Sequence, residues 1–122
     1  EVRHAVRQWS GSLVAVTDRP TALICSNDMA AIATLRGLRD AGWEVPGHFS
    51  VVGFDNIALA DLLHCPITTV HQPVRRLADR SCALLLERIK GQVSGPGAHE
   101  ILPTRLIARE STAPVKEGIS AS

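Results

Sequence analysis

The sequence predicts an α/β fold, a parallel sheet flanked by helices, and three observations carry that prediction. Two short apolar runs, Thr21–Cys25 and Ser50–Phe54, read as buried strands, and each ends in a polar tip: Ser26-Asn27-Asp28 and Asp55-Asn56. Between the two runs lies a stretch of helical periodicity that closes with Ala41-Gly42. Strand and helix signals then alternate along the rest of the chain, in the order β-α-β-α-β-α-β. A strand–helix–strand unit puts both polar tips on one edge of a parallel sheet, where open α/β sheets bind ligands. Asn27 and Asp55 are therefore the first candidate site residues.

The elements follow in chain order. Residues 2–16 read as a helix with Gly11 inside it. Asp18-Arg19-Pro20 is a turn, because Pro20 pushes Arg19 out of the helical region. The near-continuous apolar run Thr21–Cys25 predicts a strand covered on both faces. Ser26 or Asn27 caps the helix that follows by accepting a backbone N–H. That helix spans 28–41, with Met29, Ile32, Ala33, Leu35 and Leu38 at helical spacing. Gly42 suits the left-handed position after it.

Residues 43–47 form a loop, 50–54 the second strand, and 57–63 a short helix ended by His64-Cys65-Pro66. Thr68-Thr69-Val70 is a third extended segment. After Gln72-Pro73, a long helix covers 74–90, where proline is tolerated in the first turn. Val74, Leu77, Ala78, Ser81, Leu85 and Ile89 line one face, and Gly91 stops it. Two further short strands are expected at 100–102 and 105–108, split by Pro103. Residues 113–122, small and polar, read as a flexible tail. Glu1 opens directly into a helix, where a doubly wound sheet usually starts with a strand. The expectation is a segment cut from a larger protein.

Composition narrows the function. With 122 residues, the chain suits one domain with a modest core. Lys and Arg number 13 against 12 Asp and Glu, and no basic stripe marks a nucleic-acid face. Arg75-Arg76 and Arg88 with Lys90 read as the solvated side of a helix. Trp9, Trp43, Phe49 and Phe54 are the whole aromatic set, too few for a single-strand stacking platform. Cys25 and Cys82 read as small buried hydrophobes, and the odd count with Cys65 fits a reducing cytoplasm.

No apolar stretch approaches the roughly 18–20 residues of a membrane span, so no membrane partner is expected. His4, His48, His64, His71 and His99 lack metal-like spacing, and neither a metal nor a cofactor is expected. A nucleophile elbow, a phosphate loop and a Gly-x-Gly-x-x-Gly turn are all missing, and Ser10-Gly11-Ser12 has no His/Asp context. The chain is not expected to be an enzyme.

Six stretches in register carry a resemblance: Ser26-Asn27-Asp28-Met29-Ala30-Ala31, Val45-Pro46, Ser50–Asn56, Thr68–Pro73, Leu84–Ile89 and Arg109-Glu110-Ser111-Thr112. Over about 19–114 the chain resembles the C-terminal part of the LacI/GalR transcriptional regulators. The resemblance implies part of a type I periplasmic-binding-protein-like fold, mostly its C-terminal lobe. Residues 1–112 would be a partial sensor domain. Within it, about 1–70 would lie in the C-terminal lobe, 71–102 would be a crossover segment of the other lobe, and 103–112 a return strand.

The resemblance further implies that Asp55 and Asn27 bind a small sugar or purine-like effector, with Gln72 at the hinge. Asp, Asn and Gln suit a sugar, whose hydroxyls both donate and accept. Asn27 can also act as a helix cap alone, and Asp28 as a first-turn carboxylate favoured by the helix dipole. Trp9 is a stacking candidate without a secure register. The implied partners are a second copy of the parent protein, with Ile32 and Leu63 as candidate contacts, and DNA. DNA would be reached only through an N-terminal helix-turn-helix that this chain lacks. The alternative is a fragment of a transport-type periplasmic sugar-binding protein, which would be exported.

Overall fold

The computed structural model describes residues 1–12 and 19–115. Residues 13–16 of the predicted first helix, and the predicted tail from 116 on, lie outside the described residues. The chain forms two compact units. One is Glu1–His71 together with Leu106–Ser122, and the other is Gln72–Arg105.

The first unit contains α1 (Val2–Ser12), β1 (Ala22–Ile24), α2 (Asp28–Asp40), β2 (Ser50–Asp55), a 3-10 turn (Ala58–Asp61) and β3 (Thr68–His71). A further strand, β4 (Arg105–Ile107), completes a sheet of order β1-β2-β3-β4. β1 and β2 run parallel with Ile24 opposite Val52, and β2 and β3 run parallel with Asp55 opposite His71.

α2 starts where the predicted cap acts: the Asn27 side chain accepts from the Ala30 N–H at 2.8 Å. It stops at Gly42, whose φ of +82° is cheap only for glycine. Two close approaches fix its packing. A Cβ at Gly53 would run into the Asp28 carboxylate and stand 3.3 Å from the Ala31 Cβ, so β2 meets α2 backbone-first. A Cβ at Gly37 would stand 2.7 Å from the Arg3 carbonyl oxygen and 2.9 Å from the Val6 Cβ, so α1 lies directly on α2. The Arg3 guanidinium bonds Asp40 at 2.6 Å across the same contact and holds its carboxyl below the usual carboxylate range.

Ala31, Leu38, Phe49, Val51, Ala60 and Ile67 form the fully buried core. Phe49 meets Trp43 edge-on with ring centroids 5.4 Å apart, and the Arg19 guanidinium lies 4.8 Å above the Trp43 ring. Ser111 clasps the starts of two strands. Its carbonyl accepts from Val51 N–H at 2.8 Å, and its hydroxyl donates to the Val51 carbonyl at 2.5 Å while accepting from Thr68 N–H at 2.8 Å.

In the second unit α3 spans Val74–Ile89, and Gly91 at φ +67° ends it. The Arg80 fork clasps the Glu100 carboxylate, with Nε 2.9 Å from Oε2. The predicted apolar stripe is present, yet no residue of α3 is buried, and Ile89 is 70% exposed.

Several expectations differ from the structure. β1 is not covered on both faces: Ile24 is 87% exposed, while Leu23 and Cys25, which alternate with it along the chain, pack against the core. Cys82 is exposed and Cys25 half-buried, so neither is a buried hydrophobe. The predicted short helix tightens to the 3-10 turn. No strand forms at 100–102: Glu100 is drawn to Arg80, and Pro103 has no N–H to offer a ladder.

Candidate functional site

The site is built on the carboxyl edge of β1 and β2. Because the two strands are parallel neighbours, the chain leaves both at the same edge, and Asn27 and Asp55 are brought to it together. Behind them lies Asp28, fully buried. One of its oxygens accepts from the Thr69 hydroxyl at 2.6 Å, the other from the Ile57 N–H at 2.8 Å. A carboxylate away from water is costly unless it is hydrogen-bonded, and here it also sits in the favourable first turn of α2. Asp28 thus ties the start of α2, the turn after β2 and β3 into one rigid edge. Its carboxylate is fully engaged in that role.

The turn that Asp28 supports is unusual. Asp55 has φ +107° and Asn56 φ +56°, two successive non-glycine residues in a region that L side chains rarely adopt. Asn56 holds the bend with three bonds. Its N–H donates to Thr69 Oγ1 at 3.3 Å, its amide nitrogen meets His71 Nδ1 at 3.2 Å, and its oxygen accepts from Arg109 Nη2 at 2.8 Å. The Arg109 guanidinium also donates to the Ile67 carbonyl at 2.9 Å and pairs through Nε with Asp61 at 2.8 Å.

Asn27 is exposed and spends only its oxygen on the cap, leaving an amide nitrogen with two donors. Asp55 is half-buried at the end of β2. Gln72 is the first residue of the second unit, and its carbonyl accepts from Val74 N–H at 2.9 Å. Trp9 is a packing residue of α1, its ring 6.2 Å from that of Phe49. Phe49 directly precedes β2, at the opposite end of that strand from Asp55, so Trp9 is no platform for a ring at the site.

Ile32 and Leu63 are brought together in a separate groove of about 700 Å³, lined also by Leu35, Trp43, Val45 and Cys65. Burial, with Glu110 nearby, raises the Cys65 thiol above its usual range. Among the described residues no group of His, Cys, Asp and Glu could hold a metal ion. No helix among them is long and apolar enough to cross a membrane.

Sequence reasoning did not find the roles of Asn56 and Arg109. Their contact joins positions 53 residues apart, and nothing local in either segment marks the other.

The sequence model of the periplasmic binding protein-like domain matches residues 1–112. The HTH-type transcriptional repressor PurR of Photobacterium profundum is 42% identical over 98 residues, covering 80% of this chain and 29% of the relative. A LacI family transcriptional regulator from Enterococcus faecalis V583, solved with bound ribose, superposes with a TM-score of 0.79 at 33% identity. That match covers 93% of this chain and 42% of the other. A lac repressor dimer bound to operator and an anti-inducer gives 0.75 at 28% identity, over 90% of this chain and 38% of the other. The chain spans less than a third of the PurR relative's length. Its strand order, its polar edge and these matches agree: the chain belongs to the periplasmic binding protein-like domain family, as a segment of a LacI-type sensor domain.

Proposed function

We infer that this chain is the effector-sensing and dimerisation part of a LacI/GalR-type transcriptional repressor. Asp55 and Asn27 bind a small sugar or purine-like molecule, and Gln72 is assigned to the same ligand on the resemblance. Ile32 and Leu63 belong to the homodimer contact. Binding acts on DNA through a helix-turn-helix outside this chain, in the cytoplasm and without catalysis. Residues 1–70 and 103–112 are read as one lobe of the sensor, and 71–102 as a segment of the other. The observation that carries the reading is the polar sheet edge, tied together by Asp28, to which parallel β1 and β2 lead Asn27 and Asp55. The ribose held by the Enterococcus regulator supports a sugar as the ligand class. That the relatives are regulators weighs against the transport-type alternative.

The test is made in the full-length protein with ribose and guanine as probes. Asp55→Ala removes a charge-assisted hydrogen bond worth ~1.5–3 kcal/mol, roughly ten- to a hundredfold in affinity. Calorimetry is expected to register that loss, while operator binding in the absence of effector persists. Unchanged affinity for a probe that binds the parent would remove Asp55 from the site.

A further inference from the structure

We propose that Arg109 is a positioning residue for ligand binding at Asp55, acting through Asn56. The proposal rests on the assignment of Asp55 to the effector. The segment from Asn56 to Ile67 links the strained turn to the groove that contains Leu63. Arg109 grips that segment at three places: the Asn56 side chain at its start, Asp61 within it and the Ile67 carbonyl at its end. Its own backbone N–H is anchored on Thr68 Oγ1 at 2.9 Å, so the grip is referred to β3.

A guanidinium only donates, so it orients the Asn56 amide with oxygen toward Arg109 and nitrogen toward His71. The His71 Nδ1 must then accept, which leaves its proton on Nε2. The two residues at positive φ are thereby held by a chain of bonds running Arg109–Asn56–His71, with Thr69 bonding the Asn56 N–H. Strained backbone persists where its surroundings over-determine it. Here a residue far along the chain supplies part of that determination, and it sets where the Asp55 carboxylate stands.

A Lys at 109 keeps a cation near Asp61 but cannot fork to Asn56 and Ile67 together. A Gly at 56 keeps positive φ accessible but removes both side-chain bonds. In the full-length protein, Arg109→Lys and Asn56→Gly are each expected to weaken binding of ribose, or of guanine, by about tenfold. The double variant is expected to be no weaker than either single one, because both break the same link. Hydrogen exchange followed by mass spectrometry is expected to speed up in the peptide covering 54–57 and to stay unchanged in α2.

Additive losses in the double variant, an unchanged affinity in either single one, or exchange that rises everywhere alike would overturn the proposal. Asp55→Ala is measured beside them. If it leaves binding intact, or if neither probe binds, the ligand assignment of Asp55 falls with the dependent proposal. Exchange at 54–57 then reports separately whether Arg109 holds the turn.

Discussion

Asp28 and Asp55 are both carboxylates at the same sheet edge, and their surroundings separate their roles. Asp28 is fully buried and spends both oxygens on Thr69 and Ile57. Asp55 sits half-buried on a bend of two positive-φ residues. The cysteines divide in a similar way. Cys82 is exposed on α3, whereas Cys65 is half-buried with its thiol pushed up by burial and by Glu110. The thiolate is the reactive form. Cys82 is therefore expected to react first with a disulfide reagent at mildly alkaline pH, and Cys65 to lag behind it. Mass spectrometry of the partly labelled protein checks the order, and Cys65 labelling ahead of Cys82 would contradict it. Since the folded Cys65 keeps its proton more tightly than an unfolded thiol, its contribution to stability is full below the ordinary thiol range. It fades as pH rises through the raised value.

The helices owe their placement to two glycines, and each offers a measurement. Gly37→Ala puts a methyl into the Arg3 carbonyl and Val6, and Gly53→Ala puts one into the buried Asp28 carboxylate. Overpacking of this kind costs about 1–3 kcal/mol. At Gly37, inside α2, the better helix propensity of alanine offsets up to roughly 1 kcal/mol of it. Gly53→Ala is thus expected to be the more damaging of the two in urea melts. A Gly37→Ala variant as stable as the parent, or more stable, would show that α1 does not rest on α2 as described.

The same elements show how far the sequence can be read. The cap at Asn27, the stop at Gly42 and the parallel β1–β2 edge rest on local signals, and all were legible. The exposure of Ile24 was not, because an apolar run carries no record of which face a neighbour covers. Nor was the Arg109–Asn56 contact, which depends on a return of the chain after the second unit. The missing strand at 100–102 belongs to the same class: the pull of Arg80 on Glu100 is a tertiary effect that outweighs local pattern.

At the scale of the whole molecule, the groove of Ile32 and Leu63 is where association is proposed. Ile32, Leu63, Leu35, Trp43 and Val45 form its apolar part, with Arg36, Arg39 and Glu44 also in the lining, and a charge placed in the apolar part is disfavoured in an interface core. Replacing both Ile32 and Leu63 by Lys in the full-length protein is expected to convert dimers to monomers in sedimentation. A double variant that still sediments as a dimer would place the contact elsewhere.

The Ser111 clasp also gives the fold a clock. Thr68 waits for a partner 43 positions further on, and Val51 for one 60 positions further on. At a synthesis rate of about 5–20 residues per second, roughly 2–9 s separate the making of Thr68 from that of Ser111. Through that interval the starts of β2 and β3 lack their fastening, and the Asn56 turn lacks Arg109. On the ribosome, the polar edge can therefore reach its final form only after the chain has made, and come back from, the whole second unit.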